Sequence, residues 1–572
     1  MGAIEPAEGF AVSRRAGVRL RRVLVVLATM AVLFVGATPP ATASGLGSVA
    51  DGWTSSTVLR TSDGWWVSPI QATLMSDGNT VLFVGIGRNA DPPTPSTPAR
   101  RETWTMTLQQ LGSSMPASLT VNEVPEPVQY PANIVNGTYY SDDLFCSGET
   151  QTADGKIILA GGTRTTKNMT TGAGTIGGLP YEMSFDGTTM TRLAGNMAAL
   201  GPLADANRWY PTLTRMANGQ ILVTSGYEQV SPTPVPAGTI ETLDPTSGAR
   251  TVFSTNAPPQ IVNRDYTHVF LLPYANAPND LLMIGEASVP VEASSSKPGA
   301  FTVLPRGRPG WVSAGTNWGT SSAMLPIRAT NGVWGYHNGS VITVSGNMGT
   351  PFEHNAAVFD PAVSAYLGSF DLVVPRHHPD AVDLPDGRIL LVNGHDMGGD
   401  ARVQQAEYID PSQSYSVGLG TATEGVVRGY HSVALLLPDG RVLVGGGRDQ
   451  DTEASLEKPS FQYYLPDYLT KPRLVITSAP TTMAYGSLFG VTTTGPTPSE
   501  AVLIALGSQT HSFDENQREI QLPVGQVTTT NGTSTVIAGT PTDGHVAPPG
   551  YYMLFLLDAN RVPSVAKIVH VG

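Results

Sequence analysis

The clearest order along the chain is a recurring alternation of a polar turn with an apolar strand. A turn containing Asp-Gly or Asn-Gly, then a β-branched run ending in Gly, occurs as Ser76-Asp77-Gly78 to Gly87, Ala153-Asp154-Gly155 to Gly162, and Ala217-Asn218-Gly219 to Gly226. It returns around Asn279-Asp280 to Gly285, and as His337-Asn338-Gly339 to Gly346, Pro385-Asp386-Gly387 to Gly394, and Pro438-Asp439-Gly440 to Gly447. Asn-Gly and Asp-Gly supply the positive φ angles of a tight hairpin, so each copy predicts two antiparallel strands joined at the turn. Successive turns lie about 48 to 77 residues apart, near the ~50 of kelch-type blades, and the Gly-His and Trp-Asp signature of the other common propeller is absent. The seven copies predict a seven-bladed kelch-type β-propeller over residues 44–470, with the first strand of each blade lining a central channel.

After Gln462-Tyr463-Tyr464-Leu465-Pro466 the rhythm changes. Short strand-like runs (Arg473 to Thr477, Ala501 to Ala505, Thr535 to Ala538, Tyr551 to Leu557, Ser564 to Val571) alternate with Pro, Gly and Asn turns, which predicts an immunoglobulin-like β-sandwich over 471–572. No segment carries a convincing helical period, so the expected class is all-β.

At the N-terminus, Arg14, Arg15, Arg19, Arg21 and Arg22 precede an apolar run from Val23 to Ala37 that ends in Ala41-Thr42-Ala43, the layout of a secretory signal peptide over 1–43. The run is short for a bilayer-spanning helix and no second one follows, so the expected product is secreted and free of the membrane. Removing five Arg and two Glu changes the net charge from −13 to −16. An acidic chain lacks the basic stripe that displaces counterions from phosphates, which excludes nucleic acid as a partner. With 62 Gly, 46 Pro and 41% apolar residues the chain is turn-rich yet able to bury a large core. A single cysteine, Cys146, cannot form an internal disulfide.

Counting back from each turn glycine gives a residue's height along its inner strand. Cys146, Tyr210, His378 and His431 each lie nine residues before their glycine, with Tyr430 one earlier. They are therefore expected to share one mouth of the channel. Alternate strand residues point to opposite sides, so Tyr430 and His431 can both face the axis only if the strand bends there. Any one of these residues could simply fill the bore. As a group, imidazole nitrogens and phenolate oxygens with an open position suit Cu(II) better than Zn or Ca.

Three stretches of the propeller, Asp143-Leu144-Phe145-Cys146-Ser147-Gly148, Arg208-Trp209-Tyr210, and Arg428-Gly429-Tyr430-His431-Ser432 running into Leu435 to Val442, resemble the galactose oxidase and glyoxal oxidase family of copper radical oxidases. The C-terminal Thr510-His511-Ser512 to Arg518 and Pro548 to Phe555 resemble the same family's terminal sandwich. The resemblance implies one copper ion held by Tyr210, Tyr430, His431 and His511, with His511 on a sandwich loop reaching into the channel. It implies a thioether joining Cys146 to Tyr210 and a protein radical on that pair. Tyr430 would accept the substrate's hydroxyl proton, the radical would take a hydrogen atom from carbon, and O₂ would leave as hydrogen peroxide.

Two departures accompany the resemblance. Galactose oxidase stacks a tryptophan over the thioether about eighteen residues after the crosslinked tyrosine, where this chain reads Ser225-Gly226-Tyr227-Glu228; either Tyr227 takes that place or a tryptophan from another blade does, with Trp318 and Trp334 as the candidates. The spacing of 64 residues between Cys146 and Tyr210, and the run Ser321 to Pro326, look closer to the glyoxal oxidase branch, whose substrates are small aldehydes and primary alcohols. A glycan hydroxyl stays open as a substrate. His378, with Arg376 and His377 beside it, is either a substrate-orienting group or a hydrogen-bonded channel histidine. The alternative from another class is a non-catalytic kelch propeller binding a polysaccharide or protein. A hydrolase is disfavoured because no nucleophile elbow or metal-hydrolase motif is present.

Overall fold

The structure is a computed structural model that describes residues 47–89, 99–129, 133–194, 207–262, 266–275, 277–284, 290–304, 319–345, 354–396, 401–449 and 456–572. The expected signal peptide over 1–43 and the candidate Trp318 lie outside them. The protein is all-β: among the described residues no helix exceeds four residues, and none is long and apolar enough to cross a membrane.

Each of the seven turns connects two strands paired as an antiparallel hairpin, from Trp66–Leu74 with Thr80–Arg88 to Ser432–Leu436 with Val442–Gly446. Further strands extend most of these hairpins into small antiparallel sheets, as in the order Thr212–Arg215, Ile221–Thr224, Ile240–Leu243, Arg250–Ser254. The last hairpin takes Ser460–Leu465 as its third strand and Thr57–Arg60, from the start of the described chain, as its fourth. Strand ends distant in sequence are thereby closed onto one another. The second strands, such as Ile221–Thr224 and Ile389–Val392, are buried at every position. A sheet covered on both faces selects such unbroken apolar runs.

Two further sheets follow. One orders Val475–Ser478, Leu488–Thr494, Thr533–Gly539 and Val524–Thr530; the other contains Pro498–Ala505, Gly550–Asp558 and Lys567–Val571. Val491, Val536, Leu503, Leu554 and Val569 share one core with Phe270, Leu282 and Phe359 of the preceding sheets. The succession of small sheets followed by a packed pair is consistent with a β-propeller and a β-sandwich.

From the second of these sheets a short hairpin, Ser508–Thr510 with Phe513–Asp514, reaches back and pairs with the inner strand Trp66–Leu74, Thr510 opposite Gln71. Side chains pin it to several inner strands. Ser508 Oγ donates to the Glu149 carbonyl (2.8 Å), Gln509 Nε2 donates to Asp380 (2.7 Å), and Ser321 Oγ donates to the Ser512 carbonyl (2.6 Å). His511 sits at its tip.

Candidate metal centre

The four equal-height residues share a backbone property. Cys146 (φ 67°), Tyr210 (64°), His378 (57°) and His431 (71°) all occupy the left-handed region, and His511 (47°) does so too. Such angles cost roughly 1–3 kcal/mol each for residues other than glycine and persist where the surroundings fix them. Here backbone hydrogen bonds run from one sheet to the next: Tyr210 N–H to the Cys146 carbonyl (2.9 Å), Tyr266 N–H to the Tyr210 carbonyl (3.0 Å), and His378 N–H to the Gly319 carbonyl (3.0 Å). The reversal at φ > 0 supplies the bend needed for neighbouring side chains to turn the same way. Tyr430 and His431 accordingly lie ring over ring, with centroids 3.9 Å apart.

Buried arginines hold these bends in place. Arg208 donates to the Ser225 and Thr239 carbonyls (2.9 and 2.8 Å), Arg376 to those of Asn393 and Val403 (2.8 and 2.7 Å), and Arg428 to that of Gly446 (2.8 Å). Each has a buried glutamate partner: Glu241, Glu407 and Glu424. Arg376 therefore points into its own sheet, while His378 faces the site, its ring 5.1 Å from Tyr430 and its Nδ1 3.5 Å from Ser512 Oγ. His377 packs behind, edge to face with His378 (4.3 Å) and His395 (5.2 Å).

The two phenols and two imidazoles named from sequence come together. The hydroxyls of Tyr210 and Tyr430 are 2.5 Å apart, and His511 Nε2 is 3.1 Å from the Tyr210 hydroxyl. The rings of His431 and His511 are edge to face at 4.8 Å. On both imidazoles Nδ1 is engaged away from the cluster, with Glu457 (3.2 Å) for His431 and Thr510 Oγ1 (2.7 Å) for His511. That leaves His431 Nε2 buried without a hydrogen-bond partner. An orphaned nitrogen on a ring packed against Tyr430 and His511, with Nδ1 fixed by an outer partner, is the arrangement of histidines that bind a metal through Nε2.

Electrostatics favours neutral imidazoles. Burial lowers His511 well below the usual histidine range, with His431, His378 and Arg448 adding to it. Burial also lowers His431, against the opposing pull of Glu457. Glu457 itself, which burial alone would raise, is brought down to about 2 by His431 and then Arg448. Burial, then the adjacent Cys146 thiol and Tyr430, pushes Tyr210 well above its ordinary value. Without a cation the phenol stays protonated, whereas a divalent ion among these atoms would favour phenolate. Among the described residues no group of three or more His, Cys, Asp or Glu side chains could hold a metal. The donors here are two imidazoles and two phenols, a nitrogen and oxygen set that fits Cu(II).

The aromatic that covers Tyr210 is Trp209, its neighbour in sequence, with centroids 3.6 Å apart and planes at 23°. Tyr227 instead pairs with Trp209 through the backbone (2.8 and 2.9 Å). Trp334 packs under Arg328 and Arg561, at the end of the sheets where the Gly387 turn lies. Trp209 escaped sequence reasoning because adjacent strand residues ordinarily point apart; the positive φ at Tyr210 removes that constraint. Tyr266 and Phe145 also belong to the cluster, Phe145 edge-on to His431 at 5.5 Å.

Residues 472–571 match the family described as galactose oxidase-like, early set domain. An aldehyde oxidase GLOX1 of Arabidopsis thaliana is 32% identical over 216 residues, 34% of this chain. A galactose oxidase of Gibberella zeae is 31% identical over 252 residues, 41% of this chain. Residues 472–571 are thus a galactose oxidase-like domain, and the chain has homologues among aldehyde oxidases and galactose oxidases. Its matches span only 35% and 36% of those two relatives' own lengths. In fold it is similar to a fungal alcohol oxidase solved in complex with copper, with a TM-score of 0.66 at 20% identity, over 91% of this chain and 99% of that one.

Proposed function

We propose that the protein is a secreted copper radical oxidase, built as a seven-bladed propeller (44–470) carrying a sandwich (471–572), that oxidises small aldehydes or primary alcohols with O₂ and releases hydrogen peroxide. The observation that carries this reading is the convergence of Tyr210, Tyr430, His431 and His511 with lone Cys146 packed against Tyr210. A binding module has no use for that combination.

Tyr210, Tyr430, His431 and His511 would hold one copper ion, and a thioether would join Cys146 to the Tyr210 ring. When bound, copper supplies a Lewis acid and a one-electron acceptor. The residues would divide the remaining work. Tyr430, as its phenolate, would accept the substrate's hydroxyl proton, and the oxidised Cys146–Tyr210 pair would take a hydrogen atom from the adjoining carbon. Trp209 covers one face of that ring and keeps water from it. Glu457 and Thr510 fix the imidazoles through Nδ1, which orients Nε2 in advance of binding. For an alcohol the balance is RCH₂OH + O₂ → RCHO + H₂O₂; a hydrated aldehyde gives the acid in the same way.

The test is a peroxide-coupled screen of small aldehydes and primary alcohols on copper-loaded protein. The expected result is substrate-dependent peroxide matched by O₂ uptake, abolished in Tyr210→Phe. Copper-loaded protein that consumes no O₂ across the panel would overturn the reading.

A further inference from the structure

One buried aromatic residue contributes no donor to the cluster yet touches three of the segments that build it. Tyr266 is 4% exposed and holds a φ of 39°, an angle that a bulky residue adopts only under constraint. Its N–H donates to the Tyr210 carbonyl (3.0 Å), and its hydroxyl donates to the Ser147 carbonyl (2.9 Å), one residue beyond Cys146. Its ring lies 4.7 Å from that of Tyr210 at 33° and 4.7 Å from that of His511 at 31°. The same side chain thus spans the strand of Cys146, the bend of Tyr210 and the hairpin tip of His511. Its hydroxyl is spent on a backbone carbonyl, so it has neither the direction nor the free proton of a ligand or acid.

We propose that Tyr266 is a positioning residue that holds the Cys146 sulfur and the Tyr210 ring in register for thioether formation and holds His511 against the same ring. The inference rests on the oxidase reading. In that joining step the Cys146 S–H and one Tyr210 ring C–H bond are lost and an S–C bond forms. The two electrons and two protons released reduce O₂ to hydrogen peroxide. Sulfur and ring carbon belong to different sheets, so their approach depends on how the tops of two inner strands are braced. The Cys146 carbonyl is fixed by Tyr210 N–H (2.9 Å), the Ser147 carbonyl by the Tyr266 hydroxyl, and the Tyr210 carbonyl by Tyr266 N–H. Misplacing reacting atoms by even an ångström can cost about a hundredfold in rate, so a strut at this point has large leverage.

The test compares wild type, Tyr266→Phe and Tyr266→Leu, each prepared without copper and then given one equivalent of Cu(II) in air. Copper affinity is measured by chelator competition, the Cu(II) signal by electron paramagnetic resonance, and the Cys146–Tyr210 link by mass spectrometry over time. Tyr266→Phe keeps the ring and frees the Ser147 carbonyl; it should bind copper with wild-type affinity and crosslink about tenfold slower. Tyr266→Leu also loses the contact with His511, so it should crosslink more slowly still and alter the Cu(II) signal. Equal crosslinking rates in all three proteins at equal copper occupancy would overturn the proposal. If wild type binds copper and never crosslinks, the oxidase reading falls, and the bracing of His511 stands or falls on whether Tyr266→Leu changes the Cu(II) signal. Failure of wild type to bind copper overturns both.

Discussion

Replacing Glu457 by glutamine removes the one carboxylate that His431 and Arg448 share. Glu457 Oε1 lies 3.2 Å from His431 Nδ1 and 2.7 and 2.6 Å from Arg448 Nε and Nη2, and all three side chains are buried. Breaking a buried ion pair on one side costs roughly 3–5 kcal/mol, because the remaining charge is left without compensation. The depression of Glu457 to about 2 points to the same size of interaction: against an ordinary 4.5, it corresponds to about 3 kcal/mol favouring the ionised form. A glutamine amide keeps the volume but can offer only a neutral oxygen, so the imidazole loses its charged anchor. Outer-partner losses of this kind typically lower metal affinity by about 10–100-fold. Glu457→Gln should therefore weaken Cu(II) binding within that range in chelator competition and lower the denaturant midpoint of the copper-free protein. Glu457→Asp should give an intermediate result if the charge and not the volume matters. A Cu(II) affinity within about twofold of wild type in Glu457→Gln would refute the claim that Nδ1 anchoring prepares His431 for metal.

Other outcomes follow from separate parts of the structure. A stacked aromatic pair is worth about 0.5–1.5 kcal/mol, so Trp209→Leu should shift the one-electron potential of the crosslinked Tyr210 by about 20–65 mV, read by redox titration of its optical band. Gly446 has φ 63°, and a Cβ there would run into the Pro69 carbonyl and lie 2.7 Å from that of His431; Gly446→Ala should lower the thermal midpoint and weaken copper binding together. Burial raises Glu149 to about 8, Glu424 to about 7 and Glu519 to about 7. Folding then takes up protons between pH 4.5 and 8. Stability from these groups is fully present at the acidic end and declines as pH rises, so the copper-free protein should melt higher at pH 5 than at pH 8.

The turns were legible because their chemistry is local. Asp-Gly and Asn-Gly demand positive φ, and that demand survives any tertiary context, so the six turns that carry them mark real hairpins, while Asn279-Asp280 closes a seventh hairpin without the glycine. The heights of Cys146, Tyr210, His378 and His431 followed from the turns, since a hairpin fixes register. What escaped depends on departures from regular strand geometry. Trp209 and Tyr266 reach the cluster through left-handed bends, and the fourth repeat, which carries Tyr266, lacks the Asp-Gly that would have fixed its count. Arginines two or three residues ahead of Tyr210, His378 and His431 were a signal of those bends, since each ties one down from below. Glu457 lies 26 residues past His431, where no local pattern links the two. In the C-terminal sheets, Leu488–Thr494 and Val524–Thr530 went unmarked because each sets only three or two apolar side chains beside a glycine and three threonines, too few for a clear alternation.

The account turns on whether Cys146 and Tyr210 become one side chain. Peptide mapping by mass spectrometry, on the full chain expressed without copper and then exposed to Cu(II) and O₂, tests this directly. The predicted result is a peptide joining Cys146 to Tyr210 with the loss of two hydrogens, formed only when copper is present. A free Cys146 thiol in fully copper-loaded, aerated protein would contradict it.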